Sequence, residues 1–195
     1  MKVAIIVLTS TALCLVTAAS FAGTIGVYLN PDATGCALTL HEGESATIYL
    51  VGTTFVSDPE HGTIASGEFR IAGLPDGWVT TSVPDNFEMI YVQGDPFQDG
   101  VRFAFGSLQD GVIPFFVAQL QATSEQNNVV LAVVQHVNPR PPWGGPSTCP
   151  WLQYCDVLCD KPGICADGAN LFINASGCSM GVDQRTWSAV RVLYR

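Results

Sequence analysis

Candidate reactive side chains lie mostly in the last third of the chain. Gly177-Cys178-Ser179-Met180-Gly181 has the GxSxG spacing of a nucleophilic serine on a sharp strand-to-helix turn, and the apolar run Leu171 to Ile173 precedes it as a strand would. That chemistry needs a histidine and an acid after the serine. Asp183 follows, but no histidine does, and a bridged Cys178 would leave no freedom for an oxyanion-hole turn. His41-Glu42 lacks the second histidine that a metalloprotease helix carries at i+4, and His61 sits in the turn-like Asp58-Pro59-Glu60-His61-Gly62. Carboxylates pair at Asp95 and Asp99 and at Asp156 and Asp160, but glycoside hydrolysis needs a fixed separation across a cleft, which loop spacing does not supply. Asp95 and Asp99 could offer oxygens to calcium, without the alternating acidic spacing of an EF-hand loop. Asn174-Ala175-Ser176 is a glycosylation sequon if the source is eukaryotic. The reading is therefore of a chain with no catalytic residue, no cofactor and no metal beyond that weak calcium candidate.

The cysteines are the strongest signal. Cys149, Cys155, Cys159, Cys165 and Cys178 crowd one segment, and Cys36 stands far from them. An even set of six in an exported chain reads as disulfides, because thiols oxidise there and persist as bridges. Six cysteines allow 15 pairings, and spacing selects none. Five is odd, so full pairing within the chain requires one bridge to leave the segment, and Cys36 is its only destination. Zinc would need CxxC or Cys/His spacing, and neither occurs.

Export itself is read from the first 22 residues: a charge at Lys2, an apolar run from Val3 to Val16, and small residues Ser20 and Ala22 before Gly23. The run is too short to span a bilayer, which takes roughly 20 residues. Cys14 follows Leu13 rather than a small residue, so it is discarded with the signal and not lipidated. No membrane span is expected after signal removal. The chain has a formal charge of −9, and its eight Lys and Arg form no cluster, which excludes a phosphate-binding surface and hence nucleic acid.

The elements that must position these residues are short strands. Apolar and polar residues alternate in Thr24–Leu29, Thr47–Val51, Glu68–Leu74, Trp78–Ser82, Glu88–Gln93 and Val101–Gly106, and turn residues such as Asn30-Pro31-Asp32 and Pro75-Asp76-Gly77 separate them. Phe115–Thr123 and Val129–Val137 are longer and more continuously apolar, as central strands buried on both sides would be. Helical periodicity is almost missing, so no helices cover a parallel sheet. The fold class predicted is all-β, an antiparallel two-sheet sandwich of jelly-roll or immunoglobulin-like type, with Phe69, Phe103, Phe105, Phe116 and Leu120 facing inward. The expected organisation is a signal peptide at 1–22, a sandwich at 23–137, a Pro/Gly-rich linker at 138–150 and a disulfide-stapled Cys-rich appendix at 151–195 packed on the sandwich.

Several phrases carry a resemblance: Gly43-Glu44-Ser45-Ala46-Thr47-Ile48, Gly67-Glu68-Phe69-Arg70-Ile71 before Leu74-Pro75, and Val101-Arg102-Phe103-Ala104-Phe105-Gly106 ahead of Pro114-Phe115-Phe116-Val117-Ala118-Gln119-Leu120. In their order, residues 24–137 resemble the cohesin-like family of secreted sandwich domains, which implies a role in adhesion or scaffolding. The whole chain, with its Cys-rich segment and the ending Thr186 to Arg195, resembles a set of uncharacterised bacterial secreted proteins, and no activity comes with that likeness.

Two function classes follow. One is a secreted, non-catalytic extracellular or cell-surface module with a structural, adhesive or protein-binding role. The other binds polysaccharide by stacking sugars on exposed Trp78, Tyr91, Trp143, Trp151 and Tyr154, which requires those rings to be open and coplanar. Residues 186–195 have helix-like spacing, with Arg185, Arg191 and Arg195 giving a basic end to an acidic chain. They either close the core or serve as a docking or sorting tail.

Overall fold

A computed structural model describes residues 23–54, 63–139, 148–155 and 163–175. They form 13 strands and, among the described residues, no helix: β1 Gly23–Tyr28, β2 Ala37–Leu38, β3 Ser45–Thr54, β4 Thr63–Ala72, β5 Val79–Pro84, β6 Met89–Asp95, β7 Gly100–Gln109, β8 Val112–Gln121, β9 Val129–Val134, β10 Trp151–Cys155, β11 Ile164–Cys165, β12 Asp167–Ala169 and β13 Leu171–Ile173. One sheet has five strands in the order β12-β1-β3-β8-β5. The other runs β11-β10-β4-β9-β13-β2, with β7 and then β6 added along β4. The two-sheet all-β fold is as the alternation predicts, but the sheets are mixed: β1 pairs with β12 and β13 with β2 in parallel. Both parallel partners come from the Cys-rich segment. Its strands therefore complete the two sheets, with β10 hydrogen-bonded to β4 and β13 to β9, rather than lying against them from outside.

Alternation decides which side chains meet between the sheets. Phe69, Phe103, Phe115, Phe116 and Leu120 are each at most 2% exposed, and Phe105 is 8% exposed. Phe103 is the hub, with ring centroids 4.6 Å from Phe115, 5.5 Å from Phe105, 6.0 Å from Phe69 and 6.3 Å from Phe116. Tilted and edge-on pairs of this kind add to plain burial because ring edges and faces carry opposite partial charge. Gly67 leaves room for the hub: a Cβ there would stand 2.6 Å from Phe103 Cζ. The runs at Phe115–Thr123 and Val129–Val137 do give inner strands, yet they bury one face more fully than the other. On β8, Gln119 is exposed and Val117 half-buried, and on β9 Val130, Ala132 and Val134 are half-buried.

The outer side of the second sheet is closed around Glu68, where β4, β7 and β10 lie side by side. Glu68 alternates with the inward Phe69 and so points away from the core, yet it is 1% exposed. Arg102, its register partner on β7, donates from Nε to Glu68 Oε2 at 2.5 Å, and Trp151, its partner on β10, donates from Nε1 to Glu68 Oε1 at 3.3 Å. Beside them Ser66 Oγ donates to Gln153 Oε1 at 2.9 Å, and Gln153 too is buried. The chain leaving β9 is tied down at the same place. His136 Nδ1 accepts from Asn138 N at 2.9 Å and faces Arg102 Nη2 at 3.5 Å, while Arg102 Nη2 donates to the Asn138 carbonyl. Two donors converge on Nδ1, so it carries the lone pair and the imidazole is neutral, with its proton on Nε2. Burial and then the Arg102 guanidinium lower the pKa of His136 from its usual 6.5, Glu68 and Asp99 oppose the shift, and Arg70 adds to it.

Three outcomes test this description. Phe103→Ala is expected to cost about 3–5 kcal/mol in urea denaturation, whereas a loss under about 1 kcal/mol would be too small for a core ring. Cys149 and Cys165 are bonded across a separation of 16 residues, so replacing both by Ser should remove about 3 kcal/mol by the chain-entropy account, read from the same denaturation curves. His136 has a lowered pKa when folded, so the unfolded chain takes up the proton first. Its contribution is fully present above pH 6.5 and falls as the pH drops from 6.5 toward the lowered folded value. Denaturation at pH 8 and pH 5 should show a smaller acid loss in His136→Asn than in the parent, and identical losses would contradict the arrangement.

Candidate functional site

The structure sorts the residues singled out by sequence. Cys149 is bonded to Cys165, and Cys36 is disulfide-bonded as well. The side chain of Cys155 lies outside the described residues, as do Cys159, Cys178, Ser179, His61, Asp156, Asp160, Trp143 and the segment 186–195. Of the aromatic rings expected to stack on sugar, Trp78, Trp151 and Tyr154 are only 5%, 3% and 2% exposed, which corrects that expectation for all three. The physical reason is that Trp78 and Tyr154 belong to the core cluster, while Trp151 lies beside the buried Glu68 and donates its indole N–H to it. The Trp78 indole donates to the Ser124 carbonyl at 3.0 Å, and Tyr154 joins the core cluster, where burial pushes its phenol well above the usual range. Tyr91, on β6, is exposed, and its hydroxyl donates to Gln93 Oε1 at 2.6 Å.

Asp95 and Asp99 serve a turn. Asp95 Oδ1 accepts from Phe97 N at 2.8 Å and Oδ2 from Gln98 Nε2 at 3.4 Å, while the Asp99 carbonyl accepts from Val137 N at 2.9 Å. Among the described residues no group of three or more His, Cys, Asp or Glu gathers as metal ligands do. His41 faces Glu125 at 3.3 Å on the surface. Asn174 is held by its own amide: Oδ1 accepts from Leu40 N at 2.8 Å, and Nδ2 donates to the carbonyls of Leu40 at 2.6 Å and Gln126 at 2.8 Å. It fastens β13 to the β2–β3 and β8–β9 connections. Asp167, on β12, has a carboxyl pKa raised by burial.

What remains open is the outer side of the five-stranded sheet over β3, β8 and β5, while toward β1 the outward Tyr28 and Val51 are buried. The registers stack its outward side chains in rows across β3, β8 and β5: Thr47, Gln119 and Thr81 in one, and Ser45, Gln121 and Val79 in the next. All six are exposed, and Gln119 Nε2 donates to Thr47 Oγ1 at 2.8 Å across the strands. Tyr49, Val117 and Val83 form the third row, with Val83 51% exposed. No charged residue occurs in β1, β3, β5 or β8. The five-stranded sheet thus carries its one charge at Asp167 on β12. The signal was present in the sequence, but it becomes visible only once topology places those four segments side by side. β1 and β5 are separated in the chain by the whole of β4, which belongs to the opposite sheet.

Comparison with solved structures places this architecture. A cohesin module from a family 33 glycoside hydrolase of Clostridium perfringens superposes with a TM-score of 0.54 at 11% identity, covering 80% of this chain and 100% of that one. A non-cellulosomal cohesin from the archaeon Archaeoglobus fulgidus aligns over 86% of this chain and 96% of its own, at 12% identity and a TM-score of 0.47. A type I cohesin solved in a cohesin–dockerin complex from Clostridium thermocellum aligns over 80% and 96%, at 13% identity and a TM-score of 0.47. No protein-family model matches the chain, and no curated protein matches it. At such low identity the likeness speaks to architecture alone, and the fold is cohesin-like.

Proposed function

We propose that this chain is a secreted, non-catalytic module that binds another protein through the outer face of β3, β8 and β5. The observation that carries the reading is the pairing of a sheet face closed over its β4, β7 and β10 centre with an open, uncharged one. Glu68, Gln153 and Trp151 are buried on the outside of the second sheet, so that side is already used by the chain itself. On the other side, Thr47, Thr81 and Gln119 present hydroxyl and amide groups without the desolvation cost of charge, flanked by Val79 and Val83. Interface centres are depleted in charge in the same way. The Cys149–Cys165 disulfide fits an oxidising location outside the cytoplasm. Polysaccharide is the weaker partner, since Trp78, Trp151 and Tyr154 offer it no ring face.

The test is capture from extracellular material by the full chain and by a Thr81→Arg/Gln119→Arg variant. A partner held by this face should be retained about tenfold less by the variant, because two guanidinium groups would be buried against it. Thermal melting is expected to be unchanged, since both side chains are exposed. Gln98→Lys, at an exposed site in the β6–β7 connection of the opposite sheet, is the control and should capture normally. Equal capture by all three proteins would remove the face from consideration, and selective retention on a glycan array would move the function to sugar.

A further inference from the structure

At the end of the sandwich where β7 turns into β8, apolar side chains stand in solvent: Phe87 in the β5–β6 connection, Ile90 at the start of β6, Leu108 near the end of β7 and Val112 opening β8. Phe87 is 93% exposed and Ile90 is 74% exposed. Hydrogen bonds hold the connection against the hairpin. Asp85 N donates to the Phe115 carbonyl at 2.9 Å, Gly106 N to the Glu88 carbonyl at 2.7 Å, and Ser107 Oγ to Glu88 Oε2 at 2.8 Å. The tip is thus a fixed surface. Clustered apolar exposure of this kind marks a place that something covers.

The rim is acidic, from Asp85, Glu88 and Asp110. Between Ile71 and Gln135 the only basic side chain is Arg102, which is bound to Glu68 on the closed face. Among the described residues nothing neutralises the rim, so the fitting occupant is apolar and basic. Residues 185–195 have that chemistry: Arg185, Arg191 and Arg195 with Trp187, Val190, Val192, Leu193 and Tyr194, and no acid among them.

Placement indicates which copy supplies the segment. β4 starts beside the tip, where Ile64 pairs with Gln109, and runs to the far end, where Ala72 pairs with Ala132 of β9. β13 ends at that far end, with Ile173 opposite Val129. Residues 176–184 span at most roughly 32 Å when fully extended, about the length of β4 at roughly 3.3 Å per residue. The same copy could bring Arg185 to its own tip only with the intervening chain drawn tight. We propose that residues 185–195 of one copy dock on the Phe87 tip of another. Segment and tip are different surfaces, so the contact is heterologous and repeats from molecule to molecule, and the opposed charges speed encounter and make it salt-sensitive.

The experiment is sedimentation velocity on the full chain, on a tip variant (Phe87→Asp/Ile90→Asp) and on a segment variant (Arg191→Glu/Arg195→Glu), each checked for unchanged circular dichroism. The parent should self-associate with rising concentration and fall apart in high salt, and each variant alone should associate about tenfold or more weakly. Mixed together, the two variants should form a one-to-one dimer and nothing larger, because only one intact tip and one intact segment remain to meet. A parent that stays monomeric at every concentration overturns the proposal, as does a mixture that fails to pair. Binding of the parent to phosphatidylcholine vesicles, lost in the tip variant while the parent stays monomeric, would assign the tip to lipid instead. The Thr81→Arg/Gln119→Arg variant should self-associate like the parent, which separates this contact from the open sheet face.

Discussion

The packing of Phe103 against four other phenylalanines is the contact on which the rest of the molecule depends. Those rings come from β4 and β7 on one sheet and from β8 on the other, so they fix the distance between the sheets and the direction in which every alternating residue points. A strand shifted by one residue would exchange its inner and outer sets. The Thr47–Gln119–Thr81 row and the burial of Glu68 are both downstream of that choice.

The two outer surfaces then diverge. On the second sheet a carboxylate faces outward and is sealed by a guanidinium and an indole, with a neutral imidazole beside them binding the chain as it leaves β9. A buried ion pair is weak evidence for stability in itself, because desolvation offsets much of the attraction. Its effect here is positional: Glu68 gathers β7, β10 and, through Arg102, the residues after β9 onto one spot. The first sheet keeps the outward side chains of its Thr47 and Ser45 rows in water.

Much of this could be read from residue order. Alternation located Phe69, Phe103, Phe105 and Phe116 and the strand containing each, because a period of two held over five or more residues is the pattern of a strand with one face buried. It missed Phe115, which a bulge opposite Leu50 and Val51 turns inward beside Phe116. Strands of two or three residues, such as β2, β11, β12 and β13, are too short to show a period, and their existence depends on partners distant in the chain. The burial of Trp78, Trp151 and Tyr154 was not legible for a related reason. An aromatic ring serves equally well in a core or on a surface, and only the finished topology shows which side of the sheet it takes. The open face was hidden by the opposite problem, since an absence of charge in four separate segments has no local signature.

The parallel pairing of β1 with β12 carries a consequence for how the molecule is made. Thr24 to Gly26 are among the first described residues to be synthesised, and Asp167 to Ala169, which complete their sheet, are among the last. β2 waits in the same way for β13. With its earliest and latest strands adjacent, the fold has a high contact order, and closing such distant pairs is slow because the loop entropy must be overcome before the contacts form. Nascent chains that have emerged only through β9 would hold the phenylalanine hub together while leaving a flank of each sheet open, a stage at which strand edges are exposed to other chains.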